Sequence, residues 1–520
     1  MLNEPLEKSL PPAPGTTHHM ELAKNSIGTL GIIFFVVAAA APLTVVVAVF
    51  PVILGSGNGL GIVGTFALVA AVLLVFSVGF VAMSRHVSNA GAFYAFITKG
   101  LGRPLGMGSA SLVIFSYNAV QLGLYGGIGF YAAEYVRTHF GLDAPWWIFS
   151  FAAMAACLGL GVRHLEAGAR VLAVLLLLET GIILLLDLSI VFGPGRPTAG
   201  FSPALFSPLP VFSGAVGVAL MFAHAAFMGF EGTAIYSEEA RDPVRTVPRA
   251  TYIAVIFMGT FYALTAWLIV SSAGLDNAVA MARSQGGNFV FQVGRRALGP
   301  AGAELFQIFS ITSMFASALT FHNNVARYLF SLGRHNIVWS KLSKTHTVHK
   351  SPYYACVVQT VMVGAVVAVF AICKLDPYTT LFTWFTGIGA LGMIITQVIA
   401  SLSVFVFFRR TGVDSRLWHT KIAPLLAVLL LTPFIYFAFT SLDVLLGVQG
   451  PLQWIFLIML FGSLLLGIAA AFRMKYRDPQ KYAALAAAFD ARIEPFRQQP
   501  HAPPSAAVNS VSPKTPATTA

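Results

Sequence analysis

Two carboxylic acids stand inside long apolar runs. Glu179 lies in VLAVLLLLETGIILLLDLS, surrounded by leucine, and Glu231 lies in FAHAAFMGFEGTA, between Gly229 and Gly232. A charge held away from water is costly, so an acid in such a place is by default a proton carrier, an ion ligand or a substrate ligand. For Glu179 three readings stand: a carboxyl that exchanges protons, a carboxylate that holds Na⁺ or a substrate ammonium, and a neutral acid bonded to a neighbouring carbonyl. His224 and His322, similarly embedded, could relay protons or serve as hydrogen-bonded packing residues. Asp187 follows Glu179 by about 12 Å at 1.5 Å per residue, near the end of the same run.

Two polar stripes accompany these groups. In FSYNAVQLGLY, Tyr117, Gln121 and Tyr125 recur at i, i+4 and i+8, so one helix face presents all three, with Asn118 on an adjacent face. Ser310, Ser313, Ser317, Thr320 and Asn324 make a second continuous face. Either stripe could line a cavity, and either could fix helix packing through bonds of roughly 1 kcal/mol each.

The elements that position these residues follow from composition. The chain is 57% hydrophobic and 10% charged, with a mean hydropathy of +0.77. One soluble core cannot hide that much apolar surface, so this is an integral membrane protein. A span takes about 20 apolar residues. About twelve such runs are placed at 28–50, 60–83, 105–136, 146–162, 171–192, 211–237, 250–273, 301–332, 353–373, 380–408, 422–442 and 452–472. Lipid offers no hydrogen-bond partner, and the alternation of a barrel strand is absent, so the fold class is all-α with twelve transmembrane helices. The first run is too long for a signal-peptide core, lacks a small-residue cleavage site, and reads as a retained helix.

Charge placement gives the orientation. With the N-terminus in the cytoplasm, inner connections carry 17 lysines and arginines, among them Arg85, Arg103, Arg245, Arg334, Lys350 and Arg410. Outer connections carry six: Arg137, Arg196, Arg283, Arg295, Arg296 and Lys374. This bias fits the positive-inside rule for a multi-pass protein of the cytoplasmic (inner) membrane with both termini cytoplasmic. The net charge of +12 then belongs to a basic face beside anionic lipid, and no nucleic-acid partner is needed. Cys157, Cys356 and Cys373 show no CxxC spacing, so no metal site or disulfide framework is indicated. The expected organisation is a disordered cytoplasmic tail at 1–26, a twelve-helix membrane domain at 27–475, and a second disordered tail at 476–520 rich in Pro, Ala, Ser and Thr. An enzyme would need paired acids or a His cluster on inner helix ends; HRD, HExxH and DxxD patterns are missing. Neither a filter-like loop nor a signalling domain, as a channel or receptor would require, is found.

Binding sites in transporter bundles lie where a helix is interrupted beside a protected cavity. VVAAAAPLTVVV, residues 36–47, is one candidate: Pro42 removes a donor and frees the Ala38 carbonyl, four alanines leave backbone uncovered, and Thr44 adds a hydroxyl. FAHAAFMGFEGTA, residues 222–234, is the other, thinned by Ala225, Ala226, Gly229 and Gly232. Singly each could be small-residue packing. Together they occupy the first and sixth runs, corresponding places in two five-helix halves.

Three stretches then carry a resemblance. GFEGTAIYSEEARDPVRTVPRA (229–250), SRHVSNAGAFYAFITKGLGRPLG (84–106) and NNVARYLFSLGRHNIVWSKLSKTH (323–346) are similar to signatures of the amino acid-polyamine-organocation permeases, over about residues 25–475. The resemblance implies a LeuT-like fold, a 5+5 inverted repeat plus two C-terminal helices. It implies that Ala38, Ala39, Ala40, Ala41, Pro42 and Thr44 bind the substrate's carboxylate and amine through free backbone groups, with Ala225, Ala226 and Gly229 opposite. Tyr117, Gln121 and Tyr125 would line the same cavity. Glu179 falls where several relatives carry a lysine implicated in proton coupling, and Glu231 and His224 join it as coupling candidates. In sodium-coupled members of the fold, hydroxyls from the eighth helix bind the cation with first-helix carbonyls, which makes Ser313 and Ser317 a possible cation site. Two departures stand out: AAAAPLT replaces a Gly-Ser-Gly type of break, and Ala225 replaces a frequent aromatic gate. Glu238 and Glu239 are expected to pair with Arg245 or Arg85 as a cytoplasmic latch.

The expectation is thus a secondary transporter, without catalytic residues or a cofactor, importing amino acids or small amines by alternating access. Protons are the favoured coupling ion. An antiporter or a Na⁺-coupled symporter is the alternative, with a membrane-embedded enzyme or channel more remote. Its partners are the substrate and the lipid bilayer, and it is a monomer or homodimer.

Overall fold

A computed structural model describes residues 28–483 except 88–92, 164, 236–239, 335–336, 348, 350 and 448–449. Among these residues the regular elements are helices. The first apolar run is cut in two: α1, Thr29–Ala40, and α2, residues 42–56, with a π-helical stretch at Val45–Val49. Then come α3 (Ile62–Ser84), α4 (Phe93–Leu101), α5 (Arg103–Phe140), α6 (Trp146–Val162) and α7 (Leu165–Phe192). The sixth run is also cut, into α8 (Val216–Ala225) and α9 (Gly232–Ile235). The remainder is α10 (Pro243–Ala273), α11 (Leu275–Gln285), α12 (Phe289–Arg334), α13 (Tyr353–Ile372), α14 (Thr383–Thr411), α15 (Ala423–Thr440), α16 (Leu442–Leu446) and α17 (Pro451–Arg477).

Nine helical stretches among the described residues are long and apolar enough to cross a membrane, by length and composition; Trp146–Val162 and Val216–Ala225 are shorter apolar helices. The long helix α5 is not one of the nine: its polar residues, Tyr117, Asn118 and Gln121 among them, dilute its hydropathy. The 273–301 connection, read as an outer loop in sequence, folds as α11 and the start of α12, which bends at Gly299 and Pro300. Pro300 lacks the amide donor that would continue the ladder, and Gly299 takes a φ of 72°. The 2–3 connection likewise contains α4.

Burial sorts the helices into a centre and a rim. The span Thr29–Ser56 is the most enclosed, packed by α7, α10 and α12. Next to it α5 acts as a mast for α12, α14 and α17. The α5–α14 seam is close because it is built from small residues: a methyl at Gly392 would stand 2.3 Å from Ser116 Oγ, and one at Gly123 2.4 Å from Thr386 Oγ1. At the rim, α7, α13 and α17 point leucines, isoleucines and valines outward, such as Leu177, Leu185, Val361, Ile458 and Leu466. Such a surface suits hydrocarbon and would be untenable in water.

The two interrupted runs touch each other. Gly229 has a φ of 110°, and a methyl built on it would lie 2.4 Å from Ala39 Cβ of α1. Both demands, backbone and space, call for glycine here. Gly229→Ala is therefore expected to cost about 1–3 kcal/mol. In detergent, its thermal unfolding midpoint should fall well below that of Gly159→Ala, a helical site with open space around it; equal midpoints would count against the contact.

Candidate functional site

The first break is a single residue. Ala41 takes the left-handed conformation at φ 47°, ψ 75°, and Pro42 opens α2 with no N–H of its own. A helix restarting there leaves first-turn amides unsatisfied, and α1 leaves last-turn carbonyls. Water cannot serve them: Ala38, Ala39, Ala40 and Ala41 are each 6% exposed or less. Side chains from two other helices do. The Leu43 amide donates to Glu179 Oε2 at 3.4 Å, and the Thr44 amide to Ser313 Oγ at 3.2 Å. Thr44 Oγ1 and Ser313 Oγ are 3.0 Å apart, and Ser317 donates its hydroxyl to the Ala39 carbonyl at 2.5 Å.

Glu179 thus reaches, from α7, the N-terminal end of a half-helix, where the helix dipole favours negative charge. Its second oxygen, Oε1, is buried without a hydrogen-bond partner. The Tyr262 hydroxyl of α10 is likewise buried without a hydrogen-bond partner. Carboxylate, two serine hydroxyls, a threonine hydroxyl and a backbone carbonyl therefore converge beside Ala41. Such a set can hold a proton or a small cation.

The second break is longer. From Ala226 to Glu231 the chain runs through turns, with Phe227 and Met228 amides bonded to His224 and Ala225 carbonyls. Glu231 supplies the missing acceptor. Its two oxygens lie 3.2 and 3.1 Å from the Gly229 amide, and Tyr117 of α5 donates its hydroxyl to Oε1 at 2.7 Å. The acid tethers its own broken segment to α5.

Comparison with known proteins bears on this constellation. The family model described as "Amino acid permease" matches residues 27–464. The chain belongs to the amino acid permease family. It is 25% identical over 280 residues to the low-affinity putrescine importer PlaP of Escherichia coli (strain K12), covering 52% of this chain and 58% of that protein. It is 23% identical over 325 residues to the branched-chain amino acid permease BcaP of Bacillus subtilis (strain 168), covering 57% and 65%. An uncharacterized transporter of Rhizobium meliloti (strain 1021) is 28% identical over 175 residues, covering 34% and 37%. The chain thus spans less than two thirds of the length of each of these curated relatives.

Within this family member the polar stripe of α5 divides. Tyr117 turns to Glu231, whereas Gln121 bonds the Tyr125 hydroxyl at 2.9 Å, the Ala318 carbonyl at 3.4 Å and Gln359 of α13 at 2.5 Å. Gln121 and Tyr125 therefore join α5 to α12 and α13 and are not gathered with the breaks. His224 pairs through Nε2 with Gln397 of α14 at 2.9 Å, and no bond links it to Glu179 or Glu231. His322 packs its ring against Gly161 of α6. Ser310 and Thr320 turn back on carbonyls of their own helix, and Asp187 accepts from Thr265 at 2.8 Å. Arg245 is exposed and lies 3.8 Å from Asp242. Glu238 and Glu239 lie outside the described residues.

Sequence reasoning missed the far end of this arrangement, the end away from Thr29. Pro51 has no N–H to offer the Val47 carbonyl four residues before it, just where the π-helical stretch of α2 ends, and two tyrosines reach carbonyls of this turn. Tyr378, just before α14, donates to the Ala48 carbonyl at 3.0 Å. Tyr131 of α5 lies 3.4 Å from the Val47 carbonyl and 3.2 Å from that of Gly287, between α11 and α12. Pro51 in VVVAVFP is the sequence sign that a carbonyl is freed here, but no pattern announces the π-turn or says which tyrosines meet it. At roughly 1 kcal/mol per bond, Tyr131→Phe and Tyr378→Phe should each loosen the far end about fivefold. In a background lacking Cys157, Cys356 and Cys373, a cysteine at Val45 should then react faster with a water-soluble thiol reagent; unchanged rates would mean that the hydroxyls do not hold this end shut.

Proposed function

We propose that the chain is a secondary transporter that imports amino acids, or related small amines, across the cytoplasmic membrane by alternating access. The observation that carries this reading is the Glu179 carboxyl placed on the Leu43 amide of a broken, buried half-helix. Backbone exposed at two touching breaks gives a zwitterion both charge partners without a fixed side-chain charge. Membership of the amino acid permease family supports it, as do relatives named for putrescine import and branched-chain amino acid permeation. These relatives are transporters, which favours transport over catalysis.

The finer architecture in this reading is twelve helices in two inverted sets of five plus two, with the breaks in the first helix of each set. The inner excess of lysine and arginine supports cytoplasmic termini. Tyr131 and Tyr378 then face the outer side, while Glu231 and Tyr117 close the inner side. The substrate meets Ala38 to Thr44 on one side and Ala225, Ala226 and Gly229 on the other.

Coupling in this reading is by proton, carried on Glu179. Neutral, the acid releases the Leu43 amide for a substrate carboxylate; ionised, it competes for that end of the helix. One observation favours a second reading, Na⁺ coupling: Ser313, Ser317 and the Ala39 carbonyl stand with a Glu179 oxygen that has no partner. Glu179→Gln decides between coupled and structural roles. In proteoliposomes it should abolish accumulation driven by a pH gradient while retaining exchange of labelled for unlabelled substrate. Accumulation that persists unchanged would make Glu179 structural, and accumulation that follows a Na⁺ gradient in the native protein would favour the second reading.

A further inference from the structure

The two named relatives leave the substrate class divided between diamines and amino acids, and a cleft away from the helix breaks bears on the choice. It opens at the far end of the bundle, with a volume of about 490 Å³, a size that suits a small ligand. Its walls include Gly55 of α2, Arg283 of α11, Tyr378, Thr379 and Thr380 before α14, and Trp384. Tyr378 is at once a wall of the cleft and the donor to the Ala48 carbonyl of α2, the helix that starts at the first break.

Among the described residues Arg283 is the one charged group in the wall. Its Nε donates to the Gly55 carbonyl at 2.9 Å, where α11 presses on the end of α2. That bond uses one of five N–H donors and fixes the plane of the guanidinium. No carboxylate neutralises it among the described residues. The threonines opposite spend their hydroxyl protons inward: Thr379 on Asp376 Oδ1, Thr380 on the Asp376 carbonyl, and Thr383 on the Tyr378 carbonyl. Their lone pairs remain as acceptors. The cleft therefore offers a fixed cation, hydroxyl acceptors and an indole, which match the carboxylate, ammonium and side chain of an α-amino acid. A diamine would bring two positive charges to an unpaired guanidinium and no group to satisfy it.

We infer that this cleft is a reception site for substrate carboxylate, with Arg283 as the receiving group, and that the carrier accordingly takes α-amino acids in preference to diamines. The inference rests on the transport reading and its orientation. An exposed guanidinium–carboxylate pair is a modest interaction, so the effect should appear in apparent affinity and not in turnover.

The test is initial-rate uptake into proteoliposomes, using a panel of labelled α-amino acids and labelled putrescine. Native protein, Arg283→Gln and Arg283→Lys are compared at low and high salt. Amino-acid uptake should exceed putrescine uptake in the native protein. Arg283→Gln should raise KM for the transported amino acid about three- to fivefold with maximal rate within about twofold. Arg283→Lys should recover most of that loss, and high salt should shrink the difference. If Arg283 only anchors α11 on Gly55, Lys and Gln will behave alike and salt will not matter, which overturns the reception role. Faster uptake of putrescine than of any amino acid overturns the substrate class while leaving transport intact. Absence of flux for the whole panel overturns the transport reading itself, and this inference with it.

Discussion

A bilayer gives a broken helix nothing to bond with. Every amide and carbonyl released by an interruption must find a partner inside the protein, at a cost of several kcal/mol if it fails. The rest of this structure can be understood as the consequence of breaking two helices under that constraint. Glu179, Ser313 and Ser317 stand where the first break frees amides and a carbonyl, and Glu231 stands where the second frees the Gly229 amide. In the proposed transport cycle these partners are displaced. A side chain that satisfies a backbone group in one state can yield it to a substrate in another, which a continuous helix cannot do.

The two acids divide this work by connectivity. Glu231 bonds an amide two residues away in its own chain and a tyrosine on α5, so it stiffens a local segment and ties it to the mast. Glu179 bonds across 136 residues, from one helix to the start of another, and keeps one oxygen unpaired. The first arrangement is fully committed; the second has spare capacity. That asymmetry is the physical reason for assigning coupling to Glu179 and closure to Glu231. His224 belongs to neither: its bond to Gln397 ties the last turn of α8 to α14.

Much of the frame was legible in the sequence because lipid imposes so few solutions. Twenty apolar residues must be a helix, and a proline after four alanines must disturb one. The break at Ala41 and the thinning around Gly229 could be placed to within a few residues for that reason. The Tyr117, Gln121 and Tyr125 stripe shows the limit. Helical spacing puts three residues on one face but does not say which neighbours that face meets, and α5 is long enough to meet α12, α13 and the second break at different heights. The π-helical stretch and the tyrosines that meet it were illegible, since an extra residue in a turn leaves no mark in a run of valines; only Pro51 hinted that a carbonyl is freed there. Helix α11 was hidden in what read as a loop, because its short amphipathic pattern is weaker than the apolar runs around it.

The central claim is that substrate binds on the backbone of the two breaks. Hydrogen–deuterium exchange tests it most directly, measured with and without each of a panel of amino acids and putrescine. A compound that binds should slow exchange in peptides covering 36–47 and 222–234, by displacing side-chain partners and taking their amides itself, with little change in α13 or α17. Binding accompanied by protection elsewhere, with these two segments unaltered, would contradict the account.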